Sequence, residues 1–97
     1  MPTYIILLRW TQQGIADIKN GPARLDAAKQ AFQARGAEIK AHYLVMGQYD
    51  LVSIVEAPDD ETLAKLVLSV GSLGSVSSET LRAFTEDEYR QIVTALP

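Results

Sequence analysis

Residues Thr3 to Trp10 read TYIILLRW, with apolar side chains on both parities: Tyr4, Ile6, Leu8 and Trp10 on one face, Ile5 and Leu7 on the other. A β-strand of this kind has to be covered on both sides. The pattern returns in Ala37 to Met46 and Tyr49 to Ala57, two strands separated by Gly47-Gln48. A two-residue Gly-X loop predicts a type II′ hairpin. That register pairs Met46 with Tyr49, Leu44 with Leu51 and His42 with Ser53 on one face. Val45 with Asp50, Tyr43 with Val52, Ala41 with Ile54 and Ile39 with Glu56 lie on the other.

The remaining elements follow in order. Thr11 caps a short helical turn reaching about Lys19, and Asn20-Gly21-Pro22 interrupts it. Leu25, Ala28, Phe32 and the intervening alanines form one apolar face of a long helix that Gly36 ends. After Pro58, Asp59 caps a helix over Glu61 to Val70, with Leu63, Leu66, Val67 and Val70 inward and Gly71 and Gly74 closing it. Ser75 to Phe84 is a fourth, more polar strand. Thr85-Glu86-Asp87-Glu88 is a capping box that opens a C-terminal helix with Tyr89, Ile92, Val93 and Leu96 as its apolar positions.

The order β-α-β-β-α-β predicts an α+β, ferredoxin-like single domain over residues 1–97: a four-stranded antiparallel sheet, two helices on one face, and an extra C-terminal helix. The other face of the sheet is then apolar and uncovered. A second copy of the chain, giving a homodimer or higher homo-oligomer, is the expected cover.

Composition removes several function classes. The chain has no cysteine and one histidine, so thiolate chemistry and ordinary metal sets are absent, and no metal or cofactor is expected. The net charge of −3 comes with scattered Lys and Arg, which argues against nucleic acid. No apolar run is long enough for a membrane span, and no secretory signal opens the chain, so a cytoplasmic protein is expected.

Trp10-Thr11 with Gly14-Ile15, Tyr43-Leu44, Gly47-Gln48-Tyr49-Asp50, Val55-Glu56-Ala57-Pro58-Asp59-Asp60 and Glu79 to Glu86 together resemble the GYD domain family. The resemblance spans nearly the whole chain. It implies a ferredoxin-like domain of the dimeric α/β-barrel type and no particular activity. A more distant similarity, through the Gly-x-Tyr-Asp hairpin, is to the ligand-sensing domain of the leucine-responsive and asparagine-related regulators. Those domains assemble through their sheets and bind amino acids at subunit interfaces. Here no helix-turn-helix precedes the first strand, so a stand-alone module is expected.

Six residues are candidates for a ligand site: Trp10, His42, Tyr43, Tyr49, Asp50 and Arg82. His42 is the one candidate catalytic base, against the plainer reading of a hydrogen-bonded surface or interface histidine. Asp50 either bonds the hairpin backbone or receives a ligand's ammonium. Tyr49 and Tyr43 offer phenols or simple interface packing. Trp10 stands where strand gives way to helix, a common pocket mouth in such folds. Arg82 either holds a carboxylate or pairs with Glu79, Glu56 or a neighbouring subunit, the ion pair being the plainer use. Gly71-Ser72-Leu73-Gly74-Ser75 follows a helix and precedes a strand, the reverse of a phosphate loop, and reads as a C-cap and turn. Three functions are open: a small-molecule-binding oligomer with its ligand near the hairpin at a subunit interface, a cofactor-independent monooxygenase- or isomerase-like enzyme, or a purely structural oligomer. Haem on His42 is a minor variant of the second.

Overall fold

The computed structural model describes residues 1–97, and its first strand is the double-faced segment: β1 runs Thr3–Trp10. It is followed by α1 (Gln12–Ala16), a 3-10 turn (Ile18–Asn20), α2 (Gly21–Ala34), β2 (Glu38–Leu44), β3 (Leu51–Glu56), α3 (Asp60–Ser72), β4 (Val76–Ala83) and α4 (Glu86–Thr94). The strands form one antiparallel sheet in the order β2-β3-β1-β4, the ferredoxin-like arrangement. The expected caps are present: Thr11 Oγ1 accepts from the Gly14 amide, Asp59 Oδ1 from Thr62, and Thr85 and Glu88 close a reciprocal capping box. Gly36 ends α2 in the left-handed region, while Gly71 lies inside α3 and Gly74 takes the left-handed turn after it.

The hairpin departs from expectation at both ends. Leu44 with Leu51, Tyr43 with Val52, His42 with Ser53 and Ala41 with Ile54 pair as predicted. Ile39, however, faces Val55, and Glu38 faces Glu56, because a bulge intervenes at Lys40. The connection is not a two-residue turn either. Met46 and Tyr49 leave the ladder, and the loop is closed by the Val45 amide donating to the Asp50 carbonyl at 2.9 Å. Asp50 is drawn instead toward β1, its amide donating to the Leu8 carbonyl at 2.9 Å. Non-local bonds thus replace the local turn.

Tyr4, Ile6, Leu8 and Trp10 face α2 and α3, with Val55, Ser53 and Leu51 beside them on β3 and Ile39, His42 and Leu44 on β2. The core occupies one end of this layer: Tyr4, Ile6, Phe32, Ala37, Val55, Ala57, Leu63 and Leu66. Tyr4 also ties the layers together, since its hydroxyl donates to Asp60 at the start of α3. Burial, then that bond, pushes its phenol up to about 12.

The opposite face carries two rows across all four strands, Ala41-Ile54-Ile5-Leu81 and Tyr43-Val52-Leu7-Glu79. No helix is buried against these rows. Every residue of α4 is exposed except the half-buried Glu88, so its apolar Tyr89, Ile92 and Val93 are also open to solvent. No helix is long and apolar enough to cross a membrane.

Candidate functional site

Beyond the core, toward the C-terminal end of β1, the helices stand off the sheet and leave a cavity of about 720 Å³. Its floor is Ile6, Leu8 and Trp10 of β1 with residues of β2 and β3, and its roof is α2 and the second half of α3. Side-chain size contributes: Ala27, Ala28 and Ala31, all small, line the α2 side. Seventeen of the 25 lining residues are hydrophobic, so the few polar groups among them control what the space accepts.

His42 and Ser53 are the central polar pair. They face each other across β2 and β3, and His42 Nδ1 lies 2.7 Å from Ser53 Oγ. Ser53 is 6% exposed and its hydroxyl has no other partner. If Nδ1 carried the ring proton, the buried hydroxyl hydrogen would be stranded. Hydrogen-bond accounting therefore assigns Ser53 as the donor and Nδ1 as the acceptor, which leaves the neutral ring's proton on Nε2. Nε2 makes no hydrogen bond within the chain.

Burial, and secondarily the positive charge of Lys29, hold the His42 pKa below its ordinary 6.5. As pH falls below 6.5 the unfolded chain takes up this proton before the folded one does. Stability from this group is therefore full above 6.5 and declines as pH falls through the depressed folded value. We expect the melting temperature to fall more steeply from about pH 7 to about pH 5.5 in the wild type than in His42→Gln. Equal slopes would mean that the ring protonates freely in the folded protein.

The other candidates are distributed around this layer. Trp10 is half-buried and lines the cavity. Its amide donates to Asp50 Oδ2 at 3.0 Å, so Asp50 holds the end of β1 and its carboxylate is already engaged by backbone. Tyr43 lies on the open face and is 56% exposed. Tyr49, expected on the His42 side, stands on the other. Its ring packs under the Arg9 guanidinium at 4.6 Å and its hydroxyl donates to Glu79 at 2.7 Å, a bond that raises the phenol's pKa. The cleft beside this cluster is only about 70 Å³. Arg82 pairs with neither Glu79 nor Glu56 within the chain. It lies over the rings of Phe84 and Tyr4 at 4.5 and 5.6 Å and donates to the carbonyls of Thr3 and Ala83.

The structure thus gathers Trp10 and His42 at one cavity and leaves Tyr43, Tyr49, Asp50 and Arg82 outside its lining. Ser53, Arg24 and the α2 alanines line the cavity and are not singled out by the sequence. The run of alanines on the inward face of α2 is the available signal. No group of three or more His, Asp or Glu side chains is placed to hold a metal ion.

Comparison with known proteins places this geometry among relatives. The sequence profile of the GYD domain matches residues 4–93. A glutamine synthetase and cystathionine beta-lyase binding protein of Thermus thermophilus is 38% identical over 84 residues, which cover 86% of this chain and 88% of the relative. A solved structure of a Thermus thermophilus protein superposes with a TM-score of 0.56 at 31% identity, covering 88% of this chain and 95% of that one. A feast or famine regulatory protein of M. tuberculosis, solved with L-methionine, superposes with a TM-score of 0.64 at 18% identity. The match covers 90% of this chain but 54% of the regulator, and at that identity it speaks for the fold alone.

Proposed function

The chain belongs to the GYD domain family, and on that premise we propose that it is a small-molecule-binding module. The ligand occupies the cavity between the sheet and α2 and α3, and two or more copies assemble through the open sheet face. The observation that carries the reading is the cavity itself. At about 720 Å³ it falls in the range of roughly 300–1,000 Å³ typical of ligand pockets, with a neutral polar pair on an apolar floor. Leu44 and Leu51 at the hairpin form part of its lining, so this proposal puts the ligand near the hairpin but within one chain rather than between subunits. The relative named for binding two enzymes is in keeping with a binding role.

An enzymatic reading has one observation in its favour, since His42 does line a cavity. Against it, the assigned tautomer presents an N–H rather than a lone pair at Nε2, and no carboxylate lines the space to act as a second acid or base. A purely structural oligomer does not require an apolar space of this size between sheet and helices.

The test uses N-phenyl-1-naphthylamine, a neutral fluorophore whose emission rises in apolar surroundings. Trp10 is the only tryptophan and lines the cavity, so bound probe should quench its emission by energy transfer. Ala28→Phe puts a ring into the space and should weaken probe binding about tenfold or more. Probe binding that leaves Trp10 emission unchanged, or that Ala28→Phe does not weaken, would place the ligand elsewhere.

A further inference from the structure

The hydrogen-bonding character of the cavity wall is one-sided. None of its lining residues is Asp or Glu. The donors are several. His42 offers Nε2–H, oriented by the bond from Ser53 to Nδ1. Arg24 lines the same space; its two terminal nitrogens are engaged by Asp17 and the Gly14 carbonyl, but its Nε–H has no partner.

The counterweight would be the C-terminal end of α3, whose carbonyl groups carry partial negative charge. Four of the carbonyls there already accept one bond each. Ser69 O accepts from Ser72 Oγ, Val70 O from the Leu73 amide, Gly71 O from the Gly74 amide and Leu73 O from Gln13 Nε2. The remaining polar lining groups are serine hydroxyls, which supply dipoles and no charge. An ammonium drawn into the apolar part of the space would lose hydration with no lining carboxylate to receive it.

We infer that the cavity takes an apolar molecule ending in a hydrogen-bond acceptor, a carboxylate or a carbonyl, and rejects primary amines and amino acids. This rests on the cavity being the ligand site. His42 Nε2–H is the donor at the acceptor end, and Ser53 is a positioning residue that fixes the tautomer. The carboxylate and carbonyl share this recognition; the free Nε–H of Arg24 adds to it for a carboxylate.

Displacement of bound N-phenyl-1-naphthylamine from the full-length protein by decanoate, 2-decanone and decylamine separates the cases. Decanoate and 2-decanone should displace the probe at concentrations about tenfold or more below that needed for decylamine. His42→Phe should remove most of this preference, and Ser53→Ala, which frees the tautomer without enlarging the ring, should reduce it. Decylamine acting as well as decanoate, none of the three displacing the probe, or a preference that survives both substitutions would overturn the inference. Each of those results leaves the cavity as a ligand site. Failure of the probe itself to quench Trp10 would instead remove the reading beneath it.

Discussion

Gly14→Ala is expected to destabilise the protein by about 3 kcal/mol, lowering the melting temperature by roughly 15 °C for a domain of this size. Gly14 is buried in α1, and a Cβ built on it would lie 2.0 Å from the Ser75 carbonyl oxygen and 2.9 Å from the carbonyl carbon. Its backbone dihedrals are ordinary, so space rather than φ demands glycine here. Both contacting atoms are backbone and cannot rotate away. Nor can either segment slide, because the Thr11 amide donates to Ser75 O at 3.1 Å and Thr11 Oγ1 donates to Gly74 O. Overpacking costs roughly 1–3 kcal/mol, and losing one of these bonds adds about 1 kcal/mol. Against a total stability of about 5–15 kcal/mol this is a large fraction. Urea unfolding at fixed protein concentration measures it, and a loss under about 1 kcal/mol would show that α1 moves freely from β4. Because Trp10, Ile18 and Ser75 line the cavity beside this contact, a folded Gly14→Ala protein should also bind the naphthylamine probe less tightly.

The second large effect concerns assembly. Ile54 sits in the centre of the open face, flanked in its row by Ala41 and Ile5. The wild-type protein is expected to run as a dimer or larger species, and Ile54→Lys as a monomer with an unchanged far-ultraviolet spectrum. In a two-fold interface one substitution introduces two ammonium groups, one from each copy. Burying an unpaired charge costs about 3–5 kcal/mol, so the dissociation constant should rise about a thousandfold or more. The fold should survive because the substituted side chain points away from the core. Light scattering coupled to size exclusion decides it. A monomeric wild type at about 100 μM, or an Ile54→Lys protein that still associates, would mean that the open face is not the contact.

Much of the fold is readable because it depends on local chemistry and on periodicity. Thr11, Asp59 and Thr85 each cap the helix they precede, and the apolar residues on both parities of β1 require cover on both faces without saying which face takes the helices. Four central hairpin pairs follow from a single register choice, which one wrong residue would have inverted. The errors fall where distant groups intervene. Lys40 has no side-chain feature that announces a bulge. The loop from Val45 to Asp50 is shaped by bonds from Asp50 to Leu8 and Trp10 on a strand some forty residues earlier. That competition also moves Tyr49 to the open face. Of the site, His42 and Trp10 are legible as unusual residue types. The void is not, since an alanine on an inward helix face can equally mark close helix approach, and only the packed structure distinguishes the two.

The bulge at Lys40 bears on how far association can run. β2 forms one border of the sheet, and its main chain would otherwise present a row of free donors and acceptors to a further strand. The bulge breaks the spacing of that row, and the charges of Glu38 and Lys40 flank the break. At the other border β4 displays Ser77, Ser78, Glu79 and Thr80, all exposed. Strand-by-strand growth into a fibre is disfavoured on both borders, whereas stacking by the apolar face ends once that face is covered. On the proposed assembly through the apolar face, copies are expected to form units of fixed size rather than a growing fibre.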